Sequence, residues 1–410
     1  MASQTRGNAV VGQSGGPTSV INQSLVGVIT EARKHGHIDR LLGARHGVRG
    51  IINDDFIELN DAPDELLNRI AQTPASALGS TRDKPDPAYC EKIFQSFQRR
   101  NVRHFFYIGG NDSADTARIV GEMAKSAGYD LVVYHIPKTI DNDLRVHDHT
   151  PGYGSAAKFV AAAIMGDDCD NKSLPGIKVD VIMGRHAGFL TAASVLARRR
   201  DGDGPHLIYV PEAPLSEDKF LGDVDAVYTK RGRCLVAVSE GVSQPGGKTW
   251  AEAMQQGGLE KDAHGNVQLS GTGALGDYLA GLITRKLQAP GGKKLRVRAD
   301  TFGYLQRSFP GFVSETDARE ARLVGETAVR YSASGEGGKD GGSVAMRRVS
   351  NSPYKIETHL TPLSTVARET KHMDESYLRN GNDITEKFEE YARPLVGPLP
   401  PTGSFDEMKE

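Results

Sequence analysis

Residues 137–143 read Pro-Lys-Thr-Ile-Asp-Asn-Asp, and the β-prone run Leu131-Val132-Val133-Tyr134-His135-Ile136 stands immediately before them. A strand ending in such a stretch places it at the carboxyl edge of a parallel α/β sheet, where ligands bind. Asp141 and Asp143 flank the amide of Asn142, with Lys138 and Thr139 just upstream. One carboxylate can serve as a base while its neighbour positions a metal or water, and the lysine can meet anionic oxygens. An Asp-rich turn whose charges are simply solvated uses the same residue types. The choice between the two rests on what the other strand ends carry.

Upstream, Asn8 to Gly12 reads as a short buried strand, and Gln13-Ser14-Gly15-Gly16-Pro17-Thr18 turns the chain into a helix. Val20, Ile21, Leu25, Val28, Ile29 and Ala32 then recur at helical spacing, and Gly36 ends the pattern. Backbone N–H groups of Ser14, Gly15 and Gly16 at a helix entry can face a phosphate, although ordinary tight turns also use Ser-Gly-Gly-Pro. The turn lacks the dinucleotide fingerprint, and Gly241 to Thr249 is not a phosphate loop of the Walker type because Val242 occupies its first glycine position. Arg82, beside the Gly79-Ser80-Thr81 turn, can clamp a phosphate or lie on the surface. A second strand, Arg103 to Ile108, feeds Gly109-Gly110-Asn111-Asp112-Ser113 and then a helix over 114–127.

Downstream, the spacing predicts a helix over 153–163, a strand over 178–183 running into Gly184-Arg185, and a helix over 187–200 closed by three arginines. Strands follow at 207–210 and at 234–239, the latter ending in Glu240-Gly241. Residues 243–272 read as loop or hairpin, 276–287 as helix, and 296–299 as a strand leading to Gly303-Tyr304-Leu305-Gln306-Arg307. A helix over 315–331, a hairpin at 343–349 and 354–360, a short helix over 385–392 and a mobile, Pro-rich end complete the pattern. Repeated βα units argue a layered α/β fold with mainly parallel sheets.

With 410 residues the chain exceeds one compact core, so two domains are expected. Hydrophobic residues make up 38% and charged residues 25%, and the net charge is −2. That composition suits a globular protein and argues against partnership with nucleic acid or an anionic membrane. The three cysteines, Cys90, Cys169 and Cys234, are widely spaced, which fits a reducing cytoplasm and no zinc site. No segment approaches membrane-spanning length, and the N-terminus lacks a secretory apolar region.

Taken in order, Gly15-Gly16, Gly109-Gly110-Asn111-Asp112, Thr139-Ile140-Asp141-Asn142-Asp143, Met183-Gly184-Arg185, Glu240-Gly241 and Gly303 to Arg307 resemble the 6-phosphofructokinases. The likeness covers residues 8–367, and 375–400 looks like the extension of the pyrophosphate-using branch. It implies phosphoryl transfer from ATP or pyrophosphate to the 1-hydroxyl of fructose 6-phosphate, Mg²⁺, and two discontinuous three-layer α/β domains with the active site in the cleft. Residues 1–150 with 274–305 are expected to form the donor-binding domain, 151–273 with 306–367 the sugar-phosphate domain, and 368–410 an extension. By resemblance Asp141 is the base and Thr139, Met183, Gly184, Arg185, Glu240, Tyr304 and Arg307 line the sugar-phosphate pocket. Taken alone, Met183 also reads as core packing and Tyr304 as a strand aromatic. Ser14, Gly15, Gly16, Arg82, Gly110, Asp112 and Lys138 would hold the donor, and Asn111 and Asp143 the metal. Lys138, Arg185 and Mg²⁺ can neutralise the charge spread over the moving phosphoryl group. A homodimer is expected on the family pattern.

The choice of donor turns on two positions. ATP-using members resemble one another in carrying glycine where this chain has Asp112 and where it has Lys138. A carboxylate against an incoming phosphate at ~4 Å costs ~4 kcal/mol at an effective dielectric near 20, and the side chain also fills space an α-phosphate would need. Lys138 adds a cation for the end of a short donor, so pyrophosphate is the expected donor and an ATP-dependent enzyme the nearest alternative. Position 111 is Asn where most relatives have Asp, which favours a carbonyl oxygen or a metal-bound water over a charged ligand. Gly176 stands where ATP-using bacterial members carry an arginine reaching a neighbouring subunit, so their shared pocket and allosteric control are not expected here. An NAD or lipid kinase would leave Met183 to Arg185 and Gly303 to Arg307 unexplained. A silent regulatory subunit is opposed by the intact Asp141 and Arg185.

Overall fold

The computed structural model describes residues 5–250, 254, 273–288, 294–367 and 369–408. They fall into two units, Met1–Ala156 with Tyr304–Met373 and Ala157–Gly303 with Asp374–Glu410. The sheet of the first unit contains β1 (Gly7–Gln13), β2 (Ile38–Ala44), β3 (Phe56–Glu58), β4 (Val102–Gly109) and β5 (Val132–Pro137). The second unit contributes β6 (Ile177–Ile182), β7 (Leu207–Tyr209), β8 (Cys234–Ser239) and β9 (Val297–Thr301) to its own sheet. The chain then returns to the first sheet as β10 (Gly342–Asn351) and β11 (Tyr354–Thr361).

In the first sheet the order is β11-β10-β5-β4-β1-β2-β3, parallel from β10 to β2, with β3 and β11 antiparallel at the edges. The central strands are apolar on both sides because side chains alternate across a strand and both faces here are covered. Phe106 and Ile108 of β4 join Val11, Tyr134 and Ile136 under the helices Ile21–Ala32 and Glu315–Ser334, which contribute Leu25, Ile29, Val324 and Ala328. Phe105 and Tyr107 point the other way, against Ile93, Phe97, Ala117 and Val120 of the helices Pro87–Arg99 and Asn111–Ser126. Three layers result.

The second sheet is wholly parallel in the order β7-β8-β6-β9. Val179, Val181, Val236 and Val238 pack with Phe220, Trp250, Leu279 and Ile283. The same unit holds the two-residue strands β12 (Leu378–Arg379) and β13 (Asp383–Ile384) and the helix Glu386–Val396, where Tyr377, Phe388 and Tyr391 form a ring cluster.

Three expectations about the domains are corrected. Within 274–305 the described residues up to Gly303 do not join the first unit, while 304 and 305 do: β9 pairs with β6, and the helix Ala274–Lys286 packs into the second core. Residues 306–367 do not join the second, since β10 extends the first sheet beside β5 and the helix Glu315–Ser334 covers its face. The stretch 368–410 is not one extension, because 369–373 stays with the first unit and 374–408 with the second. Hydrophobic alternation identifies a strand but does not say which sheet edge it joins, so the exchange was invisible locally. The single helix expected over 187–200 is a short α turn, Phe189–Ala192, and a 3-10 turn, Ala193–Ala197, closed by an extended Arg198. Arg198 instead donates to the Pro205 carbonyl at 2.8 Å and pairs with Asp383 at 2.9 Å. The chain end expected to be mobile includes Leu395 and Val396, both 1% exposed. Of the loop expected at 243–272, residues 251–253 and 255–272 lie outside the described residues.

A buried ionic knot ties the loop after Asp143 to this frame. His149 meets Asp148 at 2.7 Å and Glu320 at 2.6 Å, and the Tyr354 hydroxyl donates to Glu320 at 2.7 Å. Burial works against the imidazolium, but the hydrogen bonds to Asp148 and Glu320 outweigh it and raise the His149 pKa. The neighbouring Asp317 accepts from the backbone N–H groups of Gly152 at 2.8 Å and Ser155 at 2.9 Å, fixing the entry to the helix Tyr153–Ser173.

Because His149 binds its proton more tightly folded than unfolded, its contribution is complete below the unfolded pKa, near 6.5, and fades as pH rises through the higher folded value. Replacing it with glutamine leaves the buried Glu320 carboxylate without its cation, whereas Asp148 keeps Arg348 at 3.0 Å, so His149→Gln should cost about 3 kcal/mol at low pH. Urea midpoints of both proteins across a pH series should converge at alkaline pH, and parallel curves would contradict this account.

Candidate active site

Three neighbouring parallel strands of the first unit end together: Gln13 of β1 is level with Ile108 of β4, and Gly109 with Pro137 of β5. Their carboxyl ends deliver the two glycine turns and the 137–143 stretch to one place. Ser14 and Ser113 join the two glycine turns through hydroxyls 2.7 Å apart. Gly15 takes φ of 77°, which a side chain would resist, and its amide donates to the Thr81 carbonyl at 2.9 Å. Ser80 closes the turn by donating to the Gly15 carbonyl at 2.6 Å.

Lys138 is the centre of this half. Its amide donates to the Gly109 carbonyl at 2.9 Å and its ammonium to the Gly16 carbonyl at 2.7 Å. The side chain is 4% exposed. Burial and the positive charge of Arg307, with a smaller push from Arg82, bring its pKa down to about 8, while Asp141 and Asp143 pull the other way. Four sequence-predicted residues therefore surround one amine. The Asp141 amide donates to the Thr139 hydroxyl at 3.1 Å, and buried Asn142 takes φ of 59°, so the turn holds both half-buried carboxylates in place.

Tyr304 and Arg307 occupy the 3-10 turn Gly303–Arg307. The Arg307 guanidinium lies 4.3 Å over the Tyr304 ring. A Cβ on Gly16 would fall 2.8 Å from Arg307 Nη1, so the glycine gives the arginine its room. Arg307, expected in the sugar-phosphate domain, thus stands in the first unit among the donor-side residues.

The second unit carries the remaining predicted residues on two clasped turns. Met183, Gly184 and Arg185 follow β6, and Glu240 and Gly241 follow β8, with Ile182 level with Ser239. The Glu240 amide donates to the Ile182 carbonyl at 2.9 Å, and the Ser239 hydroxyl to the Gly184 carbonyl at 2.5 Å. A Cβ on Gly241 would lie 2.0 Å from the Arg185 carbonyl oxygen. Only glycine lets that backbone come so close. Glu240 is 5% exposed and Arg185 half-buried.

Asp112 departs from the expectation that it fills the space beside the turn. Its side chain is 70% exposed and pairs with Lys84 at 3.3 Å. The repulsion reckoned for a bare carboxylate is accordingly reduced. Lys84 carries no motif and was not singled out from the sequence, whereas Ser113 lies within the Gly109–Ser113 stretch and was legible there. As for Mg²⁺, the buried Asn111 Oδ1 has no hydrogen-bond partner, and such an oxygen suits a hard cation or its water. Together with the Asp143 carboxylate the donor set fits. Among the described residues, the one close triplet of acidic ligand atoms is elsewhere, at Asp167, Asp180 and Asp300 in the second unit. There Lys178 already bridges Asp167 and Asp300, at 2.6 and 2.7 Å.

The phosphofructokinase family pattern matches residues 8–331, and the chain belongs to that family. It is 52% identical over 393 residues to the pyrophosphate–fructose 6-phosphate 1-phosphotransferase of Rhodospirillum rubrum, covering 96% of this chain and 95% of that one. The enzyme of the same name from Xanthomonas campestris is 37% identical, covering 96% of this chain and 92% of its own. In structure the chain is similar to the pyrophosphate-dependent phosphofructokinase of Marinobacter aquaeolei, with a TM-score of 0.82 at 32% identity over 97% of this chain and 94% of that one.

Two outcomes follow from this geometry. The charge on Lys138 is lost as pH rises through about 8, so affinity for an anionic donor analogue should fall above that pH in the wild type but not in Lys138→Arg, as titration calorimetry would show. In Gly241→Ala a backbone clash displaces the Arg185 turn, and kcat should drop at least about 100-fold while β8 remains folded by circular dichroism.

Proposed function

We infer that the protein transfers a phosphoryl group from pyrophosphate to the 1-hydroxyl of fructose 6-phosphate, giving fructose 1,6-bisphosphate and phosphate. The observation that carries this is Lys138, whose buried ammonium is set on the Gly16 carbonyl with Asp141 and Asp143 around it. The high identity to pyrophosphate-using relatives over nearly the whole chain supports the same donor. ATP as donor has less support.

In this reading Asp141 removes the proton of the sugar hydroxyl as the phosphoryl group arrives. The turn built by Thr139 and Asn142 aims the carboxylate, and Lys138 neutralises the outer charge of pyrophosphate, assisted by Arg82 and by the amides of Ser14, Gly15, Gly16 and Gly110. Asn111 and Asp143 would hold Mg²⁺, whose chemistry there would be to neutralise charge on the diphosphate. Glu240 accepts from sugar hydroxyls, Arg307 pairs with the 6-phosphate across the Tyr304 ring, and Met183 and Gly184 shape the apolar wall. Arg185 stabilises the moving phosphoryl group, a role worth about 10³-fold or more where it is essential. Pyrophosphate and a sugar bisphosphate are close in phosphoryl potential, so the reaction is proposed to run in both directions. We propose a cytoplasmic homodimer; free thiols at Cys90, Cys169 and Cys234 suit a reducing compartment.

The donor assignment is tested by Asp112→Gly combined with Lys138→Gly, assayed with Mg²⁺, fructose 6-phosphate and each donor in turn. The double variant should lose most pyrophosphate turnover and gain ATP turnover. Full pyrophosphate activity without any use of ATP would overturn the role given to Lys138 and any part of Asp112 in excluding ATP. Asp141→Asn should lower kcat by about 10²- to 10⁴-fold with little change in either KM.

A further inference from the structure

Asn111 and Asp143 are carried on different elements, a helix start and a loop, yet a metal–diphosphate complex needs them at a fixed spacing. A segment beyond the family pattern touches both. After β11 the short helix Leu363–Val366 leads into residues that form a small apolar cluster apart from the main cores: Val366 and Ala367 with Ala114 and Leu144. Ala114 lies in the first turns of the helix that begins at Asn111, and Leu144 directly follows Asp143. Four residues on, Thr370 forms an antiparallel bridge with Leu144. The Lys371 amide then donates to the Asp143 carbonyl at 2.7 Å. Its ammonium donates to the carbonyls of His147 at 3.0 Å and Asp148 at 2.9 Å; burial brings its pKa down to about 8 against the pull of the Asp148 and Asp143 carboxylates.

We propose that residues 363–367 and 369–373 brace the donor site, and that Lys371 is its positioning residue, holding the Asp141–Asp143 loop in place relative to the helix that begins at Asn111. This rests on the pyrophosphate reading above. The brace contacts Asp143 and the start of the Asn111 helix directly; Asp141, which meets the sugar hydroxyl, shares the loop, so a fall in kcat accompanies the donor effect while sugar affinity is spared. Its signature is therefore selective. A packing role alone would lower stability and disturb both substrates alike, whereas misplacing one half of the donor site weakens the donor. The ammonium also sits beneath a loop rich in carboxylates, where removing it leaves their mutual repulsion uncompensated.

The experiment compares full-length wild type, Lys371→Met, Lys371→Arg and Val366→Ala. Steady-state constants are measured for both substrates, and binding of methylenediphosphonate with Mg²⁺ is followed by calorimetry. Lys371→Met should raise the KM for pyrophosphate and the Kd for the analogue by about tenfold or more, with the KM for fructose 6-phosphate within about twofold. Lys371→Arg should recover most of that loss, and Val366→Ala, which keeps the ammonium, should show a smaller change in the same direction. Unchanged donor affinity in Lys371→Met, or equal losses for both substrates, would overturn the brace; if Lys371→Met fails to fold, Val366→Ala decides in the same terms. A wild type that binds the analogue but does not turn over pyrophosphate would count against the functional reading, while the binding comparison still judges the brace.

Discussion

One buried ammonium group organises the first unit's half of the site. Removing a lysine from water is costly unless its charge is answered, and here a glycine-turn carbonyl and two carboxylates answer it. Each answering group constrains something else. The Gly16 carbonyl is available beside Gly15, whose conformation most other residues resist, and the Asp141–Asp143 turn is pinned by the Thr139 hydroxyl. Burial, and after it Arg307, work against this balance and bring the Lys138 pKa down to about 8. A multiply charged ligand would relieve the conflict. Binding is thereby coupled to protonation at one amine.

Much of this was legible in the chain, for identifiable reasons. The three motifs after β1, β4 and β5 were placed correctly because short buried strands followed by glycine turns have an unambiguous local pattern, and parallel pairing brings their ends together. The Glu240-Gly241 and Met183-to-Arg185 turns were found in the same way. Which unit a late segment joins was not legible. Residues 342–361 alternate as a hairpin wherever they pair, and only the open edge of β5 decides their place. For the same reason Arg307 was put in the wrong unit, although the motif around it was read. The orientation of Asp112 depended on Lys84, a surface residue without any local mark.

Donor selection looks different with that ion pair in place. A carboxylate already matched by a lysine repels a phosphate less, so discrimination shifts toward shape and toward what Lys138 can reach. The arrangement asks more of the position of the loop and helix start than of any single charge. That is consistent with the contacts around residues 143–155, where Glu320 and Asp317 tie the loop to the helix Glu315–Ser334 and Lys371 ties it to the segment after β11.

The late arrival of β10 also bears on how the polypeptide is made. As the chain leaves the ribosome, β1 to β5 can assemble early, but the outer edge of β5 has no neighbour until about residue 342 has emerged. For the intervening two hundred or so residues of translation that ribbon is a bare template for pairing with another nascent chain. Chaperone demand should therefore concentrate on this interval, and a ribosome that stalls before the hairpin would release a species prone to aggregate.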